Sequence, residues 1–517
     1  MHTRAEVQTE TRRWAALAGL IAGFAGVAIS DLAARLVAPL GSPVTAVGEL
    51  IIRLLPGPLV NFGKETLGFA DKPILIGLVV VGVLALCALA GRLELGRRWA
   101  GALVFAPVAI LGWVAISVRA QGNVNAYIPS LVGLLIGYMI LSTLILRLRR
   151  WQSPRTSGPA SSPARRDFLA KTILFGALAA VAGIGGRVLA GATQAVSNAR
   201  DRIQLPAAAK AAPPVPPGAD LGISELSPYV TPNDDFYRID TALQVPQIQQ
   251  DAWSLTITGM VEEEVTLTFA ELAALPLVEH LTTLTCVSNE VGGSLVGNAL
   301  WLGYPIRELL ARARPKAGAD MVLSVSEDSW TAGTPLSALT DPEREALLAI
   351  GMNGAPLPLE HGFPVRMVVP GLYGYVSATK WVRELRVTTF AADQGYWTPL
   401  GWSALGPIKI ASRIDVPTKS TVDAGPVVVA GVAWAQHTGI ATVELQIDGG
   451  AWVPTQLAET TGPDTWRQWR YEWPATEGNH TIAVRATDSA GKVQEAAFAP
   501  PAPDGATGYH HISVKAR

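Results

Sequence analysis

The sequence predicts three parts: an α-helical membrane region, an α+β domain and a C-terminal β-sandwich of immunoglobulin-like type. Residues 1–200 of the 517-residue chain are apolar and basic, with several runs long enough to cross a bilayer. Residues 227–407 mix short strands with short helices, a pattern typical of α+β domains. Residues 408–517 repeat short β-prone runs between turn signals such as Asp448-Gly449-Gly450, which is typical of a sandwich.

Five apolar runs predict membrane-spanning helices, four within residues 1–150 and the fifth within 151–200. The runs are Trp14–Ala38, Pro73–Gly91, Trp99–Val118, Tyr127–Leu146 and Phe168–Ala190. Arginines cluster before the first run, after the second and before the fifth. This pattern predicts a cytoplasmic N-terminus in the inner or plasma membrane, with all residues after the fifth run outside. Val44–Val60, broken by charges and prolines, predicts an interfacial or re-entrant segment.

The arginine pair before the fifth run allows two interpretations. Arg165-Arg166, followed by Phe168-Leu169, resembles a twin-arginine export signal placed inside the chain. The alternative is a pair of arginines that anchors a helix end.

Residues 207–218 are rich in Ala and Pro, within a linker over 201–226. They predict a stiff stalk, or else an arm wrapped around the globular part.

Composition excludes several classes of function. The net charge of −1 provides no basic field for nucleic acid, and no glycine-rich nucleotide-binding motif is present. Two cysteines form neither a disulfide framework nor an iron–sulfur or haem-attachment motif. None of the seven histidines lies in a predicted span, so a membrane haem with two histidine ligands is excluded. No haem or iron–sulfur cluster is therefore expected, and electrons would need an external redox partner or a quinone.

Cys286 lies in the sequence LTCVSNEVGG, where a β-prone approach leads into a polar turn that contains glycine. This arrangement presents one thiolate at the end of a strand. The alternative is a small buried apolar residue, the usual state of a free cysteine. Cys87, inside the second apolar run, is interpreted as a packing residue of a membrane helix.

A second motif, HGFPVRMVVPGLYGYVSATKW, begins at His361. Its glycine-bearing loop is preceded by Arg366 and followed by Lys380, and cations around such a loop suit a phosphate or another anion. The alternative is a solvated turn between two strands.

Together the two motifs and the C-terminal sandwich resemble the sulfite-oxidase superfamily of molybdopterin oxidoreductases, over about Pro228–Arg517. The resemblance implies a molybdenum–molybdopterin cofactor whose metal is bound by the Cys286 thiolate, a polar Asn289 beside the metal, and a homodimer formed by the last domain. It also implies a set of residues that hold the pterin and its phosphate: Tyr237, Arg238, His361, Arg366, Thr379 and Lys380.

The sequence departs from the animal sulfite oxidases after Asn289. Glu290 stands where those enzymes have an arginine, and a carboxylate repels sulfite. Alternatively, Glu290 points to solvent or pairs with an arginine. The tyrosine near the metal in those enzymes has no clear counterpart in Tyr396–Trp402.

With Cys286, Asn289 and Glu290 as catalytic residues, we expect a membrane-anchored oxidoreductase that acts on a small S- or N-oxide. The alternatives are a sulfite dehydrogenase and a non-catalytic binding or assembly protein that retains the fold.

Overall fold

A computed structural model describes residues 4–38, 41–55, 71–120, 124–152, 163–189, 200–242 and 245–517. The chain divides into two compact units. The first, here the membrane unit, comprises Met1–Ala195 with Thr241–Gln244, and the second, the globular unit, comprises Val196–Asp240 with Val245–Arg517. Each unit is described by itself.

The membrane unit is helical throughout its described part. Its helices are α1 Arg4–Val37, α2 Pro43–Leu54, α3 Asp71–Gly96, α4 Ala102–Ala120, α5 Ile128–Gln152 and α6 Pro163–Leu189. By length and composition, four segments of the described chain are apolar enough to cross a membrane: Thr9–Val37, Lys72–Gly96, Val124–Gln152 and Pro163–Gly185.

The third predicted span, Trp99–Val118, corresponds to α4, Ala102–Ala120. The other four predicted spans are long and apolar enough to cross a membrane, whereas the apolar part of α4 found among the described side chains is the shorter stretch Ala102–Ser117, so a membrane span there stays a prediction. The run loses its first residues to a turn, because the Glu94 carboxylate accepts the backbone N–H groups of Trp99 (3.1 Å) and Gly101 (2.9 Å). Within Val44–Val60, the described residues up to Leu54 belong to α2.

Small residues let α1 approach its neighbours closely. A side chain at Gly19 would overlap the Cys87 carbonyl of α3, and one at Gly26 would press on Gly133 of α5. Cys87 is buried against α1, in agreement with a packing role. Close backbone approach at small residues is a common source of helix association in membranes.

The helix termini that carry the arginines meet at one end of the membrane unit, here called the arginine end. Phe168 near the start of α6 contacts both Trp14 of α1 (ring centroids 5.9 Å apart) and Trp151 of α5 (5.7 Å). The Arg149 guanidinium on α5 donates to the Leu95 carbonyl near the end of α3 (3.3 Å). The starts of α1 and α6 therefore lie beside the ends of α3 and α5.

Arg165 lies in the first turn of α6, with its guanidinium 5.7 Å from the centroid of the Trp151 ring. This contact is the one expected of an arginine that anchors a helix end. Use of Arg165-Arg166 as an export signal stays a prediction.

The globular unit contains nineteen strands within the described residues, with three short α-helices. The strands are β1 Ser254–Gly259, β2 Val265–Thr268, β3 Val278–Thr285, β4 Val296–Pro305, β5 Met321–Ser326, β6 Thr331–Pro335, β7 Leu347–Met352, β8 Ala355–Pro356, β9 Arg366–Val368, β10 Val382–Thr388, β11 Ala411–Val416, β12 Thr421–Val422, β13 Gly425–Trp434, β14 Ile440–Ile447, β15 Val453–Pro454, β16 Gln456–Leu457, β17 Arg467–Ala475, β18 Gly478–Asp488 and β19 His510–Ala516. The helices are α7 Phe269–Ala273, α8 Ile306–Ala313 and α9 Leu336–Thr340.

The first part of the globular unit is α+β, as the sequence predicts. One sheet has the strand order β2-β1-β10-β5-β6, with β1 and β10 parallel. The other has the order β3-β4-β7-β8, with β9 paired to β7. Local signals explain several boundaries: Thr268 and Glu271 form a capping box at the start of α7, and α8 begins directly after Pro305.

The C-terminal part consists of two sheets that share one apolar core. Their strand orders are β11-β13-β17-β16 and β12-β19-β18-β14-β15. Trp469 and Val429 of the first sheet and Leu445 and Val484 of the second belong to this core, and all four are fully buried. Two facing sheets with alternating burial form a β-sandwich. The immunoglobulin-like type of its topology stays a prediction.

Residues 207–218 follow the surface of the globular unit. The Ala209 N–H donates to the Leu277 carbonyl (2.8 Å), and the Glu279 N–H donates to the Lys210 carbonyl (2.9 Å). At the far end of the segment, the Gly218 carbonyl accepts from the Glu459 N–H (3.0 Å). These are the contacts of a wrapped arm, which the sequence analysis left open beside a stalk.

The sandwich covers the outer edge of β3, the strand that leads to Cys286. The Asp464 carbonyl accepts from the Thr283 N–H (2.9 Å), and the Trp466 N–H donates to the Thr283 hydroxyl (2.8 Å). Gln436 donates its side-chain amide to the Thr283 carbonyl (3.1 Å) and the Thr285 hydroxyl (3.0 Å). An edge strand otherwise exposes unpaired backbone groups, so these bonds both protect and orient β3.

Two histidines clamp the Asp464 carboxylate at this seam. His280 on β3 lies 2.8 Å from one carboxylate oxygen, and His437 lies 3.3 Å from the other. Burial by itself would raise the pKa of Asp464, but the hydrogen bonds from both histidines outweigh it and lower this pKa to about 2 from the usual 3.8. The ionised carboxylate therefore contributes about 2 kcal/mol to stability above pH 4.

We expect Asp464→Asn to reduce the free energy of unfolding of the globular unit by about 2 kcal/mol near neutral pH. Because the folded-state pKa is lowered, the contribution is complete above the unfolded pKa and fades as pH falls from about 4 towards about 2. Thermal melts of the full chain across this range measure the difference between variant and parent. Asp448→Asn, at the exposed pair with His480, is the matched control. A difference between Asp464→Asn and parent that does not shrink on acidification would contradict the assignment.

Candidate active site

Cys286 lies immediately after β3 and is 8% exposed. Its N–H donates to the Leu295 carbonyl (3.0 Å), and its carbonyl accepts from the Asn289 N–H (3.0 Å). The Ser288 N–H points at Sγ from 3.4 Å, a contact that favours a thiolate. The loop therefore closes on itself and holds the sulfur at the strand end.

The two polar residues predicted beside Cys286 differ in their surroundings. Asn289 is buried, and its side-chain carbonyl accepts from the Leu295 N–H (2.8 Å), so it braces the loop. Glu290 is exposed, which agrees with the alternative that its carboxylate points to solvent. Both residues line a narrow cleft, described below.

Arg366 is almost completely buried, at 4% exposed. Its guanidinium lies 4.9 Å from the centroid of the Trp301 ring and donates to the carbonyls of His361 (3.2 Å) and Met367 (3.3 Å). Among the described residues, no carboxylate forms an ion pair with it. Burial lowers the pKa of Arg366 to about 10, a sign that its charge is poorly compensated.

Lys380 lies beside Arg366 and is held by the one buried acid of this region. Its Nζ is 3.2 Å from the Asp240 carboxylate, which also accepts from Arg238 (2.9 Å). Burial lowers the pKa of Lys380 to about 8; Asp240 opposes this shift, and Arg366 adds to it.

His361 completes the group from a 3₁₀ turn, Leu359–His361. It is 2% exposed, and its Nδ1 has no hydrogen-bond partner among the described residues. Burial, followed by the charges of Lys380 and Arg366, lowers the pKa of His361 to about 3. The imidazole is therefore neutral near pH 7.

Gly362 allows these side chains to converge. Its φ of +108° is unfavourable for other residues, and a Cβ here would press against both Arg366 (3.0 Å) and Lys380 (3.1 Å). We call His361, Arg366, Lys380 and Arg238 the cationic cradle.

The cationic cradle fits an anionic, hydrogen-bond-accepting group. It combines three cations with one counter-charge, Asp240, and it contains a buried imidazole nitrogen without a partner. Buried uncompensated charge is costly, so an anion bound here would restore the balance. The phosphate expected from the resemblance has these properties.

Two tyrosines lie in the surroundings of Cys286. Tyr237 is within electrostatic reach of both Cys286 and Arg366; burial of its hydroxyl and then the cysteine raise its pKa. Tyr373 is buried, and burial raises its pKa to about 12, with smaller contributions from Asp504 and then Cys286. Tyr373 lies outside Tyr396–Trp402, the segment compared above with the tyrosine near the metal in animal sulfite oxidases. The signal for Tyr373 was its place in the glycine-bearing loop between Arg366 and Lys380.

Thr379 lies next to Lys380 and is fully buried. Its hydroxyl lies 2.6 Å from the Ser324 hydroxyl, and its carbonyl accepts from the Met367 N–H (2.9 Å). The Thr379 hydroxyl therefore already has a hydrogen-bond partner on β5. Arg366 and Lys380, by contrast, each carry more N–H groups than their described hydrogen bonds use.

The cleft beside Cys286 is built jointly by both parts of the globular unit. Residues before position 400 contribute Thr285, Asn289, Glu290 and Tyr373, and the sandwich contributes residues that include Ser412, Trp434 and Gln494. No arginine or lysine lines it in this fully described stretch of chain. Nearby Arg413 is committed to Asp415 (2.6 Å) and to the Gly293 carbonyl (2.8 Å).

Comparison with known families agrees with this geometry. Residues 242–397 match the family model of the oxidoreductase molybdopterin binding domain. The matched stretch of the globular unit is therefore similar to a molybdopterin-binding domain of oxidoreductases. This stretch includes Cys286 and the cradle residues other than Arg238.

The curated proteins that resemble this chain include sulfite oxidases and an NADH nitrate reductase of Glycine max, the latter 27% identical over 314 residues and covering 48% of this chain and 35% of that protein. The chain is 30% identical over 323 residues to the mitochondrial sulfite oxidase of Rattus norvegicus, covering 53% of this chain and 58% of the rat protein. It is 28% identical over 333 residues to the sulfite oxidase of Arabidopsis thaliana, covering 52% and 83%. The chain thus spans less than two thirds of the length of the rat relative.

Among solved structures, the sulfane dehydrogenase SoxCD from Paracoccus pantotrophus aligns with a TM-score of 0.48 and 22% identity. The alignment covers 57% of this chain and 86% of that chain.

We expect Lys380→Gln to reduce the pterin retained by purified protein at least tenfold, because a charge-assisted bond to an anion is worth about 1.5–3 kcal/mol. The fluorescence of oxidised pterin released on denaturation measures this content. Lys419→Gln, an exposed position in the same unit, is the matched control. Equal pterin content in both variants would show that Lys380 does not hold the cofactor.

Proposed function

We propose that this protein is a membrane-anchored, molybdopterin-dependent oxidoreductase of the sulfite-oxidase type that acts on a small S- or N-oxide. The observation that carries the proposal is the cationic cradle, a buried surplus of positive charge linked through Tyr237 to the Cys286 sulfur. A structural protein has no need of such a surplus, whereas an anionic cofactor balances it.

In this proposal the chain's own residues hold and orient the cofactor. Arg366 and Lys380 donate to its phosphate, and the unpartnered His361 Nδ1 adds a further contact. The Cys286 thiolate is the protein's ligand to molybdenum, since soft sulfur ligands suit this metal. When bound, the molybdenum cofactor supplies oxygen-atom and two-electron transfer.

The lining of the cleft supports a neutral substrate. Its polar groups are the hydroxyls of Thr285, Tyr373 and Ser412, the amides of Asn289 and Gln494, and the carboxylate of Glu290. Ser412 donates to Gln494 Oε1 (2.7 Å), and Gln494 donates to the Gly508 carbonyl (2.8 Å). The hydroxyls of Thr285 and Tyr373 and the amide of Asn289 are therefore the groups best placed to donate to the oxygen of an S- or N-oxide. Sulfite, an anion, would meet one carboxylate and no cation, which disfavours it by about 1 kcal/mol at an exposed site.

The arginines at the arginine end support the proposal that the globular unit lies on the extracytoplasmic side. If the arginine end lies in the cytoplasm, α3 and α5 both finish there, so α4 must carry the chain back across despite its short length. Helix α6 starts at the same end and leads away from it. This path preserves the extracytoplasmic location expected from sequence, and electrons would be exchanged with an external redox partner or a quinone.

We expect Cys286→Ser to lower activity at least about a hundredfold and to abolish the visible absorption that arises from the sulfur–metal bond. Cys87→Ala, at the other cysteine of the chain, should retain both properties. Activity assays and absorption spectra of the full chain in detergent provide the measurements. Full activity with an unchanged spectrum in Cys286→Ser would reject the thiolate ligand.

We expect Glu290→Gln to raise kcat/KM for sulfite about fivefold and to leave kcat/KM for a neutral sulfoxide unchanged, because only the anion meets the carboxylate. Glu343→Gln, an exposed position in the same domain, is the control. The assay is a substrate panel run in both directions on molybdenum-loaded protein. Sulfite oxidation that exceeds S- and N-oxide reduction in the parent would instead identify a sulfite dehydrogenase.

A further inference from the structure

A small cavity opens at the arginine end of the membrane unit, between the last turns of α3 and α5. Arg98 and Trp99, in the turn after α3, form one wall. Tyr138, Ser142, Leu146 and Arg149, all on α5, form the other. No part of the proposed catalytic site involves these residues.

The wall that carries Trp99 is built rigidly. Both oxygens of the buried Glu94 carboxylate accept turn amides, those of Trp99 (3.1 Å) and Gly101 (2.9 Å). These bonds hold Trp99 at a φ of +72°, which is rare for a bulky residue and marks strain that the surroundings must support. The indole is 66% exposed and lies nearly parallel to the Tyr138 ring, with centroids 6.2 Å apart.

The polar groups of the cavity that remain available are hydrogen-bond donors. Arg98 is exposed, and among the described residues no acidic side chain pairs with it. Arg149 uses one terminal nitrogen on the carbonyls of Glu94 and Leu95, which leaves its other N–H groups free for a ligand. Ser142 and Tyr138, which also line the cavity, add hydroxyls. The two arginines outnumber the single Glu94 carboxylate, so the cavity presents net positive charge.

An apolar surface continues from the cavity along the helices. Leu146 lines the cavity and is 40% exposed, and Leu93 (41%) and Leu89 (45%) lie exposed on α3. At the end of a membrane-spanning helix, such side chains face acyl chains, and Trp and Tyr lie at the level of the head groups. A ligand with an anionic head and an apolar tail matches both surfaces.

We propose that this cavity binds the phosphodiester head group of an anionic phospholipid, with Arg98 and Arg149 on the phosphate and Trp99 against the glycerol region. Basic pockets between membrane helices on the cytoplasmic side commonly bind anionic lipid head groups. A quinone suits the observations less well, because its ring is neutral, whereas the cavity carries two arginines.

Native mass spectrometry of the full chain in detergent, titrated with phosphatidylglycerol, tests the proposal. We expect one tightly bound lipid in the parent, with phosphatidylcholine bound more weakly. Arg98→Gln should weaken phosphatidylglycerol binding about fivefold, the effect of one arginine at the membrane surface. Arg97→Gln removes the same charge from the same turn but does not line the cavity, so it should retain binding.

A second measurement locates the lipid. Brominated phosphatidylglycerol should quench tryptophan fluorescence more in the parent than in Trp99→Phe. Equal losses of binding in Arg97→Gln and Arg98→Gln would indicate diffuse surface attraction and overturn the proposal. Full competition by inorganic phosphate would identify a free-anion site instead, and displacement of phosphatidylglycerol by menaquinone would identify a quinone site.

Discussion

The position of the Cys286 sulfur depends on how the sandwich covers the outer edge of β3. This strand pairs with β4 on one side, and on the other only its beginning is paired, by Lys210 of the arm. On its other side, Asp464, Trp466 and Gln436 supply the missing hydrogen bonds from the C-terminal domain. Without that cover, the strand that ends at Cys286 would expose unpaired backbone groups and lose its fixed direction. The sandwich is therefore part of the architecture of the candidate site, and it also forms one wall of the cleft.

Electrostatic imbalance is the second organising feature of the globular unit. Of the three cations of the cradle, Lys380 and Arg238 pair with the single Asp240 carboxylate, and no described carboxylate pairs with Arg366. Burial lowers the pKa values of Arg366 and Lys380. A folded chain keeps such an arrangement when a ligand restores the balance, since uncompensated buried charge opposes folding. Cofactor binding and the stability of this domain should consequently be coupled, as for any ligand that binds only the folded state.

The membrane unit follows a different principle. Lipid tails are as apolar as the side chains they would replace, so helices associate through close packing rather than through the hydrophobic effect. Gly19 and Gly26 provide that packing for α1. The arginine end gathers charge and aromatic rings at one level, where the polar head groups of a bilayer would lie. The cavity at this end therefore forms where the helices end. Glu94 fixes the start of α4, because its carboxylate accepts the N–H groups of Trp99 and Gly101 in the preceding turn.

Much of the architecture was determined by local sequence. The length of the apolar runs predicted α1, α3, α5 and α6. The alternation of apolar and polar residues predicted strands such as β5 and β14. The chemistry of two short motifs indicated the family resemblance and the candidate site. A short stretch of sequence suffices for each of these features, because the length of an apolar run, the periodicity of a strand and the composition of a motif are all set by neighbouring residues.

Tertiary structure decided what depends on partners distant in sequence. The arm over residues 207–218 packed on the globular unit, and Thr379 turned its hydroxyl to Ser324. Tyr373 came within reach of Cys286, a position that residue spacing could not reveal. In each case a hydrogen bond or a charge from another element set the outcome, and such contacts exist only once the chain has folded.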